Sequence, residues 1–407
     1  MGSRPKPEQL ANRSLIPGPS YGHRIAADVI VTPTTLTATH PFIREFYHKD
    51  ENSHFLWFDY AVIAPPHQPI LDGVVEHHKV SYTGDDHLVA TYPMLVPGDY
   101  LYDACGVWLP GYGPAVAVLY YSVGTGGIEF AVFDEVDPAT VLIAATLVAP
   151  AILVTNVGHA FIEFTAGVIC VVWEDFLASA AYINTYDVYG VPVVGPSVIL
   201  DAASVGALGI YYAQTAGTSL YVDILDSGGA IRQLMQIEPG DAIQAGGVVD
   251  YGIAGDQPSF DLAVPSAVTP SRYTRNQITE KNGVLLMTPT TVLGGTDSLY
   301  HGLKGSTFVG STTITMLDAY NPLPGPFTGA GSVAFSGRQA YVADPANTEM
   351  LTPVGVGGPL VVASVNAPMG GTPIADTIQG IFDCGYYFTV ISMDSATGIT
   401  TASFFAG

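Results

Sequence analysis

Val118-Leu-Tyr-Tyr121 leads through the glycine-rich bend Gly124-Thr-Gly-Gly127 into Ile128-Glu-Phe-Ala-Val-Phe-Asp134. Two short runs rich in β-branched and aromatic residues, parted by glycines, read as a hairpin. The pattern returns. Cys170-Val-Val-Trp173 precedes Ala181-Tyr-Ile-Asn-Thr-Tyr-Asp187, and Gly209-Ile-Tyr-Tyr212 precedes Leu220-Tyr-Val-Asp-Ile-Leu-Asp226. The last aromatic and the closing Asp lie 13, 14 and 14 residues apart, and the aromatics recur after 52 and then 39 residues. Each Asp opens a turn, where its carboxylate can accept local backbone N–H groups, so these Asp residues need no catalytic role.

The rest of the chain agrees with this unit. Forty-five glycines and thirty prolines interrupt it too often for helices of ordinary length. Weaker echoes occur at Val284–Met287 with Ser298–His301, Val333–Phe335 with Ala340–Asp344, and Thr389–Met393 with Ile399–Phe405. Repeats of about 40–55 residues with some four short strands are the period of propeller blades. The expected fold is therefore all-β, a β-propeller-like array of six to seven four-stranded blades over residues 54–407. Residues 1–53 are expected to form an extended N-terminal arm. The alternative is a β-sandwich array. The last unit stops after its second strand, so an N-terminal strand, His54–Val62, is expected to complete the final blade and remove its open edge. The apolar run Ala139–Val154 is broken by Pro150 and reads as two buried strands rather than a membrane span.

Charge narrows the function. The 407 residues hold 13 Lys+Arg and 36 Asp+Glu, a net of −23, and only 12 % of the chain is charged against ~25 % in average soluble domains. Such a body repels phosphate, which argues against direct nucleic-acid binding. The cations are partitioned: seven lie in residues 1–79, none in 80–231 and six in 232–407, while 80–231 holds fifteen Asp+Glu. Residues 1–49 carry Arg4, Lys6, Arg13, Arg24, Arg44 and Lys49 against Glu8, Asp28 and Glu45, a net of +3. This is a basic arm on an acidic body, and its six cations are the candidate interface residues. The N-terminus lacks a secretory h-region, which implies synthesis in a cytoplasm without a signal peptide. Cys105, Cys170 and Cys384 are odd in number, widely spaced and set in apolar surroundings, so they read as buried thiols.

Candidate chemistry is sparse. His48-x-x-Glu51-x-x-His54 and Glu76-His77-His78 with Asp85-Asp86-His87 are the histidine groupings. The first has i, i+3, i+6 spacing, which suits neither a helical H-E-x-x-H face nor a strand presenting every second residue, and neither grouping includes a cysteine ligand, so they read as solvated loop histidines and no metal is assigned. Asp134-Glu135-x-Asp137 and Glu174-Asp175 offer paired carboxylates of the kind glycosidases use, yet they fall at expected hairpin turns. No nucleophile motif accompanies them, so no catalytic residue and no cofactor is assigned. The doublets Tyr120-Tyr121, Tyr211-Tyr212 and Tyr386-Tyr387 are expected to bury one ring between blades and leave the other for recognition.

In repeat style and composition, residues 55–407 resemble β-propeller tail-tip or nozzle-type proteins of short-tailed bacteriophages. That resemblance implies a non-enzymatic virion protein, made in the host cytoplasm. It implies assembly as a homo-oligomeric ring, with other virion proteins and a host-surface glycan as partners and without membrane insertion. The alternative function is a carbohydrate-binding or glycoside-hydrolysing propeller. A cytoplasmic scaffold ranks behind both, because that class has ordinary Lys and Arg numbers.

Overall fold

The structure is a computed structural model. It describes residues 25–32, 41–46, 52–59, 70–200, 208–226 and 232–237, then the strands within 278–287, 299–303, 315–320, 332–343, 350–355, 367–368, 377–383, 387–393 and 399–406.

Strands group into seven antiparallel sheets in chain order. The first holds β2 (Pro41–Phe46), β3 (Ser53–Asp59), β5 (Val74–Val80) and β6 (Asp86–Pro93). In the second, β7 (Tyr100–Leu109), β8 (Gly113–Ser122), β9 (Gly127–Asp134) and β10 (Val141–Ala149) follow one another, and the two-residue β4 (Ile70–Leu71) pairs with β7. The third is β11 (Val157–Thr165), β12 (Val168–Asp175), β13 (Ala180–Tyr186) and β14 (Pro192–Leu200). Three strands are described in the fourth: β15 (Leu208–Ala216), β16 (Ser219–Asp226) and β17 (Arg232–Ile237). The fifth comprises β18 (Ile278–Lys281), β19 (Val284–Met287), β20 (Leu299–Leu303) and β21 (Thr315–Tyr320). The sixth comprises β22 (Ser332–Ser336), β23 (Gln339–Ala343), β24 (Met350–Gly355) and β25 (Ala367–Pro368). In the seventh, β26 (Thr377–Asp383), β27 (Tyr387–Met393) and β28 (Thr400–Ala406) are joined by β1 (Val29–Val31).

The sheets form a closed ring. The two-residue β4 aside, the first strand of each touches the first strand of the next, in the order β2, β7, β11, β15, β18, β22, β26 and back to β2. These seven strands are therefore innermost, and the fold is a seven-bladed β-propeller. A sandwich array has no such cycle. Closure comes from the N-terminus, as expected, but through a different strand. Val29, Ile30 and Val31 pair with Ala402, Thr401 and Thr400, whereas Ser53–Asp59 is the second strand of the first blade. Strands β1 and β2 thus belong to the propeller, although the sequence reading set them in an arm reaching residue 53.

Burial follows position within a blade. Strands β8 and β9 lie between neighbouring blades and are buried along almost their whole length. The outer strand β10 buries only Ile143, Val148 and Ala149, so Ala139–Val154 supplies one edge strand and leads into the short 3-10 turn Val154–Asn156, not two buried strands. Among the described residues, three apolar clusters fill gaps between blades. Phe55, Trp57, Phe382, Tyr387 and Phe404 seal the seventh blade to the first. Leu119, Phe130, Ile162 and Trp173 join the second to the third. Phe46, Phe58, Val118 and Phe133 belong to the cluster between the first and second. There Gly106 admits the ring of Phe46, which a Cβ would meet at 2.5 Å. Cys105 and Cys170 are buried free thiols, as expected, and Cys384 lies outside the described residues.

The repeat is real but out of phase. Val118–Asp134 and Cys170–Asp187 occupy the second and third strands of their blades, while Gly209–Asp226 occupies the first and second of the fourth. Antiparallel hairpins share one pattern wherever they fall in a blade, which explains the shortened 39-residue interval.

Val31 is buried in the closing strand and its neighbour Ile30 faces outward. Val31→Asp is expected to lower stability by more than about 2 kcal/mol, since it places an unpaired carboxylate at the ring seal. Ile30→Asp is expected to stay within about 0.5 kcal/mol. Urea unfolding midpoints of the two variants check this difference.

Candidate functional site

The strongest convergence of ionisable groups lies on the innermost strands. Arg44 on β2 donates to Asp103 Oδ2 on β7 at 2.5 Å and to the carbonyl of Ile162, and its guanidinium stands 3.1 Å from Glu163 Oε1 on β11. Asp103 also accepts the N–H groups of Ile162 at 2.9 Å and Ala104 at 2.8 Å. Thr215 on β15 donates to Glu163 Oε2 at 3.3 Å. One network thus spans the inner strands of four successive blades. The side chains of Arg44, Asp103 and Glu163 are 4 %, 0 % and 10 % exposed, so they meet protein rather than solvent. Burial raises both carboxyls to about 7 although Arg44 pulls them down, and one cation accordingly faces two groups that ionise reluctantly. The chemistry available here is a tie between blades.

Arg44 is therefore no arm residue. Sequence reading grouped it with the interface cations by position, but it lies on a blade strand with its charge spent internally. Arg4, Lys6, Arg13, Arg24 and Lys49 fall outside the described residues.

The histidines are also placed differently from expectation. His54, His77 and His78 are buried strand residues, while His87 is exposed. Adjacent positions on β5 point to opposite faces. His78 faces the seventh blade, stacked on Phe55, and its Nε2 and Nδ1 stand 2.8 Å from Glu76 and 3.1 Å from Asp86. Burial lowers its pKa, but the bonds to Asp86 and Glu76 outweigh that, so it is raised. Asp86 also accepts the N–H of Thr32 at 3.0 Å, which links His78 to the closing strand. His77 faces the second blade, where its Nε2 lies 3.0 Å from Nδ1 of His54, and Phe46 packs 4.5 Å from its ring. Glu135, from the turn after β9, brings a carboxylate to that pair, and one donor atom from each of the three lies within 4.8 Å of the others. Neither sequence grouping contained this set. Glu51 and His48 lie outside the described residues.

The remaining acids have structural duties. Asp134 accepts the N–H groups of Val136 and Asp137, and Asp187 those of Tyr189 and Val191. Glu174 is not at a turn: it is buried on β12 with His159 Nδ1 at 3.1 Å. Tyr120 and Tyr121 are both buried, one in each flanking cluster, and donate to Glu129 and to the Ile152 carbonyl. The expected free ring is absent from this doublet because both faces of a central blade strand are covered.

At one end of the strands, loops join into a belt. Asp72 N–H donates to the Asp99 carbonyl at 2.9 Å, and Val123 N–H to the Asp99 carboxylate at 2.9 Å. Ile152 N–H reaches the Gly126 carbonyl at 3.0 Å, and Phe176 N–H the Asn156 carbonyl at 2.8 Å. This belt exposes Leu71, Leu95, Val96, Val123, Leu153 and Leu177. The turns at the opposite strand ends carry Asp85, Asp134, Glu135, Asp137 and Asp187.

Neither a protein family nor a curated protein sequence matches this chain. Among solved structures it is similar to a prolyl endopeptidase at 9 % identity and a TM-score of 0.44, covering 98 % of this chain and 54 % of that one. It is also similar to a candidate 6-phosphogluconolactonase from Bacteroides fragilis, at 12 % identity and a TM-score of 0.41, covering 91 % of this chain and 95 % of that one. A second such protein, from Bacteroides uniformis, is 10 % identical with a TM-score of 0.43, covering 86 % and 95 %. The chain thus spans about half the length of the peptidase. Likeness at these TM-scores carries no argument about function, and the propeller rests on the strand pairing described above.

The inner network sets a pH dependence. Asp103 and Glu163 have folded values near 7, above their ordinary 3.8 and 4.5, so the folded state retains protons that the unfolded chain releases. Their contribution to stability is full below about pH 4 and is lost as pH rises through about 7. His78, also raised above 6.5, adds a loss in the same direction above that pH. Arg44→Met is expected to cost about 3–5 kcal/mol at pH 8, where it strands two carboxylates, and less at pH 5. Adding Asp103→Asn and Glu163→Gln should recover much of that loss. Urea denaturation at the two pH values measures both effects.

Proposed function

We propose that the chain is a structural component of a tailed-bacteriophage particle, a tail or tail-tip protein that assembles into a ring. In this reading Arg4, Lys6, Arg13, Arg24 and Lys49 dock on an acidic neighbour, and the propeller contacts other virion proteins or the host surface. The observation that carries it is the separation of charge. The second and third blades, Tyr100–Leu200, contain no Lys or Arg, and their turns carry Asp134, Asp137 and Asp187. A basic segment from a second copy meets complementary charge there, which favours rapid and specific encounter.

Carbohydrate hydrolysis gains little support from the geometry. Its candidate carboxylates are engaged in turns, as Asp134 is, or buried beside histidine, as Glu174 is.

Sedimentation velocity of the purified full chain is expected to give one closed oligomer that dissociates with salt. Arg4→Glu, Lys6→Glu, Arg13→Glu and Arg24→Glu together should reduce it to monomers without changing the circular dichroism of the fold. A monomer at every concentration and ionic strength would falsify the assembly reading. Hydrolysis of a glycan panel that disappears with Asp134→Asn would replace it by the carbohydrate-active alternative.

A further inference from the structure

We propose that His54, His77 and Glu135 form a binding site for a divalent transition metal, zinc foremost, which clamps the first blade to the second. The donor set is two imidazoles and a carboxylate, with one donor atom from each within 4.8 Å of the others. Zinc–nitrogen bonds of about 2.05 Å at tetrahedral angles place two ligating nitrogens about 3.3 Å apart. Nδ1 of His54 and Nε2 of His77 stand 3.0 Å apart, so a small opening of this pair receives the ion between them.

The three ligands come from positions the fold holds firmly. His54 and His77 lie on paired strands, offset by two residues across the β3–β5 register, in which Leu56 faces His77. Side chains on one face at that diagonal are within mutual reach. Phe46 packs against both rings, 6.4 Å from His54 and 4.5 Å from His77. Glu135 arrives from the neighbouring blade on a turn fixed at two points. Asp134 Oδ1 accepts the N–H groups of Val136 and Asp137, and the Tyr92 hydroxyl on β6 donates to the Glu135 carbonyl at 2.5 Å. The carboxylate is thus presented to the histidine pair before any ion arrives.

Ligand chemistry selects the ion. Imidazole suits zinc, copper, nickel and iron, while magnesium and calcium require all-oxygen shells. Two neutral imidazoles and one carboxylate leave a bound divalent ion with a net charge of +1, in a body of −23. The histidines are buried and Glu135 is half-buried, so the ion can enter from the turn side and keep a fourth position for water. Bound there, it adds a tie between two blades that also meet through apolar packing, the Tyr92–Glu135 and Asp72–Asp99 hydrogen bonds and the Arg44 network.

The test uses the untagged full chain, stripped with a chelator and dialysed. Zinc titrated in competition with a chromophoric chelator is expected to fill one tight site per chain, and cobalt to give the intense visible absorption of a tetrahedral site. Glu135→Gln, at a half-buried turn position, should fold normally, weaken zinc at least tenfold and remove the rise in thermal midpoint that zinc produces. His54→Gln and His77→Gln should abolish the cobalt spectrum, and the exposed His87→Gln should change nothing. The proposal is overturned by the absence of a one-per-chain site, by zinc binding that Glu135→Gln leaves unchanged, or by equal protection from magnesium. Should the buried histidine variants fail to fold, Glu135→Gln alone decides the matter.

Discussion

The propeller depends on three residue pairs. Val29, Ile30 and Val31 lie against Ala402, Thr401 and Thr400, and this pairing joins the chain's two ends into one sheet. A ring of seven sheets has every blade packed between two others only if the last blade meets the first. Val29, Val31, Phe55, Trp57 and Phe404 bury that junction, and Thr32 extends it through Asp86 to His78. Opening the pairing would uncover the edge of β28 and the apolar face beneath it. The cost of closure is loop entropy, which grows only slowly with the length of chain enclosed, so a seal far apart in sequence remains affordable.

Inside this frame the buried ions serve orientation. Arg44, Asp103 and Glu163 sit where four inner strands converge, and each hydrogen bond there fixes one strand relative to another. Apolar side chains between blades supply most of the driving force but little directionality. A charged tie specifies register at some energetic cost, because its groups surrender hydration. The raised values of the two carboxyls express that cost directly.

Much of the architecture was legible in the residues. Short apolar runs, dense glycine and proline and an Asp at each hairpin turn identified an all-β repeat, and Asp134 and Asp187 do accept the expected backbone N–H groups. Phase was not legible, because Gly209–Asp226 has the same hairpin pattern one strand earlier in its blade. The candidate sites were less visible still. Asp103 in the apolar strand Tyr100–Leu109 and Glu163 in Val157–Thr165 were the available signals, lone carboxylates amid buried residues. His54 and His77 meet only through strand pairing, and Glu135 joins them only because two blades are neighbours.

The sequence by itself determined strand periodicity, the breaker positions and the linear partition of charge, all properties of neighbouring residues. Tertiary structure decided which segment closes the ring, that Arg44 is a buried tie and not a surface cation, and that histidines grouped in sequence face opposite sides of β5. Local chemistry sets what each segment can become. The partner across a sheet or a blade gap is set by packing between segments tens to hundreds of residues apart, and no local pattern encodes that distance.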